Sequence, residues 1–188
     1  MNPLLIDVPA ELLTERLLIR HPRAGDGAMI NEAVRESHAE LKLWMPWAKE
    51  LPTVEDSETF ARRNHAAFIL RENMALILLD RASGQFIGSS GFHAPDWNVR
   101  KFEIGYWCRT SRCGQGYITE AVKALSAMAF KKLDARRVEI RADERNERSI
   151  RVAERAGFVL EGTFVNDSLD TEGQPRSTRI YAKTRAKT

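Results

Sequence analysis

A glycine-rich turn is the first candidate for chemistry in this chain. The thirteen residues from Arg109 read RTSRCGQGYITEA and place Gly114 and Gly116 directly before a segment with a helical pattern. Free N–H groups at the start of a helix point outward, and the helix dipole favours an anion there. The turn therefore predicts a phosphate-binding site, and the question is which phosphate compound it would hold.

Two common phosphate-binding motifs fit this turn poorly. A Walker A loop separates its glycines by a longer stretch and has a lysine after the second glycine, where this chain has Tyr117. A dinucleotide-binding fingerprint needs a third small residue where this chain has Thr119. It also needs further alternation of strands and helices, which does not follow the turn. Both interpretations are disfavoured.

Length and composition indicate one globular domain. The chain has 188 residues, 43% hydrophobic and 29% charged, so we expect residues 1–188 to form a single domain. The longest apolar run, Met74–Leu79, is far shorter than the roughly 20 residues that cross a bilayer. The segment before Arg16 contains no Lys or Arg and lacks the basic start of a signal peptide. We therefore expect a cytoplasmic protein without membrane contact.

Neither a metal site nor a nucleic-acid surface is predicted. Cys108 and Cys113 lie five positions apart without a second pair, and the four histidines are scattered, which matches no zinc motif. The formal charge is +3, and Lys and Arg are spread along the chain rather than clustered with aromatic residues. A modest preference for an acidic or phosphorylated ligand is compatible with this charge.

The first part of the chain is predicted to hold a strand and two helices. Residues 15–20 have a strand pattern, and a helix with one apolar face begins at Asp26. Pro46 interrupts the segment LKLWMPWAKEL, where we expect no regular helix. Thr53 is a candidate N-cap for a second helix over 54–71.

The remaining elements surround the glycine turn. Strands are predicted over 75–79, 85–91 and 101–108, and the third alternates between an apolar face and a face with Glu103 and Trp107. A helix, a strand, a helix that ends at Gly157 and a hairpin follow the turn. The predicted fold class is mixed α/β, with antiparallel strands first and one right-handed parallel crossover after them.

Several motifs occur together in an order that resembles a known family. They are TERLLIR, WMPW, GYW before the turn, GYITEA after it, and N-x-x-S-x-x-V-x-E-x-x-G-F over Asn146–Phe158. With the turn they resemble the GCN5-related N-acetyltransferase (GNAT) superfamily, in particular the branch of ribosomal-protein alanine and serine N-acetyltransferases. The family loop Q/R-x-x-G-x-G/A corresponds to residues 111–116, where Ser111 replaces the Gln or Arg. Backbone N–H groups bind the phosphate in such loops, so this departure is compatible with the role.

The resemblance implies the GNAT fold, a mixed and mostly antiparallel sheet flanked by helices with a V-shaped opening at the cofactor site. It implies acetyl-coenzyme A (acetyl-CoA) as the cofactor, whose pyrophosphate the turn would cradle with a charge-assisted contact from Arg112. Asn146 would hydrogen-bond the pantetheine or acetyl region, although Asn before a helix is also a good N-cap. The residues predicted to bind the cofactor are Trp107, Cys108, Arg109, Arg112, Cys113, Gly114, Gln115, Gly116, Tyr117 and Asn146.

Two residues are predicted to act in catalysis. The family position of Ser149 lies near the thiol, so Ser149 could protonate the thiolate, and an ordinary helical serine is the alternative. Glu161 lies in the apolar run FVLEG and is the candidate base, best with a raised pKa; a solvent-facing strand residue fits equally. A backbone N–H near 107–109 would stabilise the oxyanion. We interpret three further aromatic residues as packing residues, some of which could line the acceptor pocket: Trp44, Trp47 and Tyr106.

The resemblance implies transfer of acetyl from acetyl-CoA to a primary amine by direct attack in a ternary complex. The branch points to the N-terminal α-amine of a protein, while polyamines, antibiotics and other amino compounds stay open as acceptors. A non-catalytic acyl-CoA-binding module is the competing class. The chain could form a homodimer.

Overall fold

A mixed sheet forms the centre of the computed structural model, which describes residues 2–185. Within those residues it has eight strands in the order β1-β2-β3-β4-β5-β6-β8-β7. Each neighbouring pair is antiparallel except β5 and β6, which are parallel. The strands are β1 (Glu11–Leu13), β2 (Leu17–Arg20), β3 (Met74–Asp80), β4 (Phe86–Asp96), β5 (Lys101–Cys108), β6 (Arg137–Asp143), β7 (Val159–Leu169) and β8 (Pro175–Thr184).

Four α-helices accompany the sheet in the described range. They are α1 (Gly27–Trp44), α2 (Val54–Leu70), α3 (Tyr117–Lys132) and α4 (Glu147–Arg155). Because α3 connects the parallel strands β5 and β6, the predicted crossover and the mixed, mostly antiparallel fold class are confirmed. No helix within residues 2–185 is long and apolar enough to span a membrane.

The two faces of the sheet bury separate cores. On β3, Ile77 and Leu79 pack into a cluster with α1 residues such as Ile30. The alternating residues Leu76 and Leu78 pack into the cluster that contains the apolar face of α3. Each fully buried side chain of this kind contributes about 1.5–3 kcal/mol. The alternation fixes which face of each strand meets which helix.

The helix boundaries confirm one cap and correct one expectation. Thr53 caps α2: its hydroxyl accepts a hydrogen bond from the Asp56 N–H at 3.0 Å, and the Asp56 carboxylate accepts one from the Thr53 N–H at 2.9 Å. The expectation that residues 41–51 avoid a regular helix is wrong for the first four, since α1 continues to Trp44. Met45 is extended because a residue before proline disfavours the α region.

The pairing between β5 and β6 ends early, and the candidate site lies in the gap that this leaves in the sheet. The two strands pair only over Lys101–Glu103 and Arg137–Glu139. Beyond this contact β5 stays paired with β4 as far as Cys108, and β6 stays paired with β8 as far as Asp143. The sheet therefore opens into a V between β5 and β6, as the resemblance predicted.

Candidate active site

A cavity of about 580 Å³ contains the opening between β5 and β6. Tyr106, Asn146 and Ser149 line it, and Tyr106 packs against the α3-side core. Glu103 and Trp107 line it as well, and Trp107 packs against the α1-side core. The cavity is therefore lined from both faces of the sheet, so two molecules could approach each other through it.

The glycine turn directly precedes α3 and presents free donors. Gly114 and Gly116 have φ values of 76° and 83°, a left-handed conformation that favours glycine. No acceptor within residues 2–185 contacts the backbone N–H groups of Gly114, Gln115 or Gly116. The first N–H groups of α3 lack intrahelical partners as well. This arrangement fits a phosphate group.

Arg16 supports the turn from behind, a role that sequence analysis missed. Its guanidinium donates to the Gln115 carbonyl at 2.9 Å and lies 4.4 Å from the Tyr117 ring centroid. Glu120 holds Arg16 by an ion pair of 2.7 Å and also accepts from the Thr14 hydroxyl at 2.7 Å. Burial alone would raise the pKa of Glu120, but these hydrogen bonds lower it overall. The only sequence signal was the position of Arg16 in TERLLIR.

Two predicted cofactor residues connect the turn to the β3–β4 loop. The Arg112 guanidinium donates to Gln85 Oε1, and the Tyr117 hydroxyl donates to Asp80 Oδ2 at 3.3 Å. Tyr117 is buried, so only its backbone N–H, in the first turn of α3, is placed to meet an anion.

The two cysteines lie close together beside the turn. The Cys113 thiol is exposed and its Sγ is 3.4 Å from the Arg109 carbonyl oxygen. Burial raises the pKa of the Cys108 thiol, and the neighbouring Cys113 raises it further. A raised pKa keeps Cys108 protonated and poorly nucleophilic.

The side chains of Arg109 and Trp107, two residues predicted to bind the cofactor, lie on the α1 side of the sheet. The Arg109 guanidinium forms ion pairs of 2.5 Å with Glu32 and Glu36 of α1, and its N–H donates to the Ile87 carbonyl at 2.8 Å. Trp107 faces the α1 side, with its ring centroid 5.5 Å from that of Phe86. Trp107 is on the α1 face because side chains alternate along β5.

Ser149 and Asn146 meet Tyr106 at the opening. The Ser149 hydroxyl donates to the Tyr106 oxygen at 3.0 Å, and the Tyr106 hydroxyl donates to the Ser149 carbonyl at 2.9 Å. The Asn146 side chain accepts from the Ser149 N–H at 3.1 Å, so the predicted N-cap of α4 is confirmed. Its amide nitrogen stays available to a ligand in the cavity. Burial raises the pKa of Tyr106 to about 12.

Glu161 lies away from this arrangement, and the expectation of a raised pKa is wrong. It is on the outer strand β7, with a side chain 45% exposed and an ion pair of 2.7 Å to Arg137. The hydrogen bond from Arg137 lowers the pKa of Glu161. Glu161 does not line the cavity. The alternative of a solvent-facing strand residue describes it.

Glu103 is a carboxylate with a raised pKa, the property that was expected of Glu161. It lines the cavity beside its cross-strand partner His93 on β4. Burial raises the pKa of Glu103 and lowers that of His93. A side chain at Gly105 would place its Cβ 2.5 Å from His93 Nε2, so glycine in the GYW motif makes room for the imidazole. The signal in the sequence was the alternation that put Glu103 on the Trp107 face.

The α1 side of the cavity has an aromatic wall. The Trp107 ring centroid is 6.2 Å from that of Trp47, which lies on the 3₁₀ turn after α1. Trp44 and Trp47 thus line the pocket, as one interpretation allowed. The other aromatic members of this wall are Phe60 and Phe86.

Within the described residues, no group of three or more His, Cys, Asp or Glu side chains is placed to hold a metal ion. The part of the chain that matches a known family includes the opening between β5 and β6. Residues 16–159 match the family described as Acetyltransferase (GNAT) domain, which is more than half of the chain. The chain belongs to the GNAT acetyltransferase family. GNAT acetyltransferases use acetyl-CoA, and the free donors of the glycine turn fit its pyrophosphate.

Curated relatives of this GNAT acetyltransferase carry ribosomal names. It is 33% identical over 175 residues to YdaF of Bacillus subtilis, a candidate ribosomal N-acetyltransferase, covering 90% of this chain and 92% of YdaF. It is 29% identical over 136 residues to the ribosomal-protein-serine acetyltransferase of Escherichia coli, covering 69% of this chain and 76% of that protein.

Solved structures of other acetyltransferases share the fold. The microcin C7 self-immunity acetyltransferase MccE, in complex with acetyl-CoA and AMP, superposes with a TM-score of 0.87 at 19% identity, covering 95% and 98% of the two chains. RimL, a ribosomal L7/L12 α-N-protein acetyltransferase in complex with coenzyme A, gives 0.84 at 21% identity, covering 94% and 97%. At these identities the likeness concerns the fold.

Proposed function

We propose that this GNAT acetyltransferase acetylates the N-terminal α-amine of a protein. The observation that carries the proposal is the cavity at the β5–β6 opening, because it joins a hydroxyl pair on one face of the sheet to a carboxylate of raised pKa on the other. The ribosomal names of the curated relatives support a protein as the acceptor.

The donor would lie along the α3 side of the opening. Bound acetyl-CoA supplies a thioester whose acetyl group can pass to an amine. The N–H groups of Gly114, Gln115 and Gly116, which have no acceptor within the described residues, would hold its pyrophosphate, and the side-chain nitrogen of Asn146 would donate to its pantetheine arm. Arg112 adds positive charge at the edge of the turn.

Cys108 supplies the oxyanion donor. Since the Arg109 N–H donates to β4, and alternate residues of an antiparallel strand point to the same neighbour, the Trp107 N–H also points to β4. The Cys108 N–H then points into the opening. It would donate to the carbonyl oxygen of a bound acetyl group, where negative charge develops in the reaction.

Glu103 replaces Glu161 as the proposed base. An α-amine has a pKa of about 7.7–8.0, so a substantial fraction is neutral near pH 8 and can attack, and the base is needed for the proton that the nitrogen must lose as the new bond forms. Glu103 receives the amine proton directly or through water, and its raised pKa suits it to this step. The Ser149 hydroxyl would turn from the Tyr106 oxygen to give its proton to the leaving sulfur and would regain a proton from water, while Tyr106 holds Ser149 in position.

Intact-mass analysis tests the proposal. The chain is incubated with acetyl-CoA and two sets of acceptors, peptides with free N-termini and small amines that include spermidine and an aminoglycoside. We expect one acetyl group on peptide N-termini and none on an N-terminally blocked peptide that contains lysine. Acetylation confined to small amines, or no acetylation of any acceptor, would overturn the proposal.

A further inference from the structure

The acceptor side of the cavity is built for an apolar group. Trp47 and Phe60 line it from the α1 and α2 side, and Trp107 lines it from the sheet. Trp47 and Phe60 remain 52% and 40% exposed, so each has ring surface that a ligand could cover. Aromatic side chains offer large contact areas at little conformational cost.

We propose that the acceptor amine carries a large apolar or aromatic group next to its nitrogen, and that this group binds against Trp47, Phe60 and Trp107. The inference rests on the proposed function and deepens it, because it names the side chain of the acceptor residue. Leu, Met or Phe at the N-terminus covers this wall, whereas Ser or Ala leaves it in contact with water. Buried apolar surface contributes about 25 cal/mol per Å², which favours the larger residues.

An acceptor with a second positive charge fits the wall less well. Aromatic rings do attract ammonium groups. However, the cavity carboxylate of Asp56 already accepts hydrogen bonds from Thr53, at 2.7 and 2.9 Å. Asp143 is likewise held by Arg145, at 2.8 Å. Asp143 is therefore already paired with a cation, and the three aromatic side chains of the wall carry no charge that would pair with a second amine of a polyamine.

Peptides that differ only in the first residue test the inference. Leu, Met, Phe, Ala and Ser peptides with the same following sequence are compared by kcat/KM at saturating acetyl-CoA. We expect the three large residues to exceed Ala and Ser by about tenfold or more. Equal values, or higher values for Ala and Ser, would overturn the inference while the proposed function stands.

Variants of the aromatic wall test which residues cause the expected preference for a large first residue. Trp47→Ala and Phe60→Ala should reduce the gap between Leu and Ser peptides to about threefold or less. Ile69→Ala is the matched control, because Ile69 is on the same helix as Phe60 and 54% exposed but does not line the cavity. The gap should persist in this control. A gap that survives both aromatic substitutions contradicts the inference.

A binding measurement separates the two proposals. Titration calorimetry of the CoA-saturated protein compares 2-phenylethylamine with ethylamine. Tighter binding of 2-phenylethylamine, lost in Trp47→Ala, supports the apolar site even where no peptide is acetylated and the proposed function fails. Equal binding of the two amines overturns the apolar site.

Discussion

Ser149 of α4 and Tyr106 of β5 hold each other through two hydrogen bonds at the opening between β5 and β6, one from each hydroxyl. The Tyr106 hydroxyl is committed to the Ser149 backbone carbonyl, which leaves its oxygen as an acceptor for the Ser149 hydroxyl. Since burial raises the pKa of Tyr106 to about 12, the phenol stays protonated near neutral pH. The pair therefore fixes the Ser149 hydroxyl at the lining of the cavity, next to a tyrosine that keeps its own proton.

Tyr106→Phe removes this orientation without opening a large space. We expect kcat to fall about tenfold or more, with little change in the KM for acetyl-CoA, because the proton for the leaving sulfur is no longer positioned. Steady-state kinetics checks this. Tyr106→Phe combined with Ser149→Ala should be no slower than Ser149→Ala alone, since the two residues act as a unit. If the losses in kcat of the two single variants add up in the double variant, Tyr106 and Ser149 act independently.

Glu103→Gln and Glu161→Gln distinguish the two candidate bases. Loss of a general base costs about 100-fold or more in rate, so we expect this for Glu103→Gln. Glu161→Gln breaks only a half-exposed ion pair, worth about 0–1 kcal/mol, and should leave turnover nearly unchanged. Turnover of both variants is measured at a fixed, saturating acetyl-CoA concentration and compared with that of the native chain. The reverse order of effects would restore Glu161 as the base.

Glu103 should also affect stability in a pH-dependent way. Its folded pKa is raised, so its favourable contribution is complete below the unfolded pKa and is lost as pH rises through the folded value. Glu103→Gln, which stays neutral, should therefore increase Tm relative to the native chain at about pH 7 and much less at about pH 4. Scanning calorimetry at both pH values measures the difference. An equal shift at both would indicate a packing effect instead.

Arg16→Ala should weaken cofactor binding from outside the turn. Loss of its charge-assisted bond to the Gln115 carbonyl frees the loop, and we expect the Kd for coenzyme A to rise about tenfold. Turnover at saturating acetyl-CoA should change little. Calorimetry checks the affinity, with Arg23→Ala as control because Arg23 forms a similarly exposed ion pair with Glu11. Unchanged affinity in Arg16→Ala would mean that the glycine turn keeps its conformation without Arg16.

Asp26→Asn should destabilise the fold near the start of α1. Asp26 and Arg20 form a buried ion pair at 2.7 Å with both side chains 10% exposed, and loss of one partner leaves a buried charge at a cost of about 3–5 kcal/mol. Burial alone would raise the pKa of Asp26, but hydrogen bonds from Arg20 and the Arg23 N–H lower it overall. This stability is therefore present above the unfolded pKa and is lost as pH falls through the folded value.

Urea unfolding at several pH values measures the effect of Asp26→Asn. The difference from the native chain should be largest near neutral pH and shrink in acid. Glu11→Gln, which breaks the exposed pair with Arg23, should cost at most about 1 kcal/mol. Similar losses in the free energy of unfolding for both variants would contradict the larger contribution expected of the buried Arg20–Asp26 pair.

Local patterns were sufficient for much of the fold. The cap at Thr53, the glycine turn before α3 and the alternation along β5 depend on neighbours in sequence, and each occurs as predicted. Residues 41–44 were expected outside a regular helix but belong to α1, because the effect of Pro46 reaches only the residue before it and the preceding turn stays helical.

The roles of the carboxylates depended on strand order, which sequence patterns do not contain. Glu161 and Glu103 both lie in strands with apolar neighbours. Only the sheet order places β7 at the edge, where Glu161 meets Arg137, and β5 beside the opening, where Glu103 loses solvent. Arg16 was missed for the same reason, since its partner Glu120 is distant in the chain.

At the opening that the short pairing of β5 with β6 leaves, the proposed donor and acceptor contacts use different kinds of group. The groups proposed to hold the donor are largely main-chain N–H groups, which are the same whatever residue carries them. The groups proposed to meet the acceptor are side chains on α2, on the 3₁₀ turn after α1 and on one face of β5, which all line the cavity. If the proposed acceptor wall is correct, substitution of Trp47 or Phe60 changes which amine is preferred and leaves the proposed donor contacts intact.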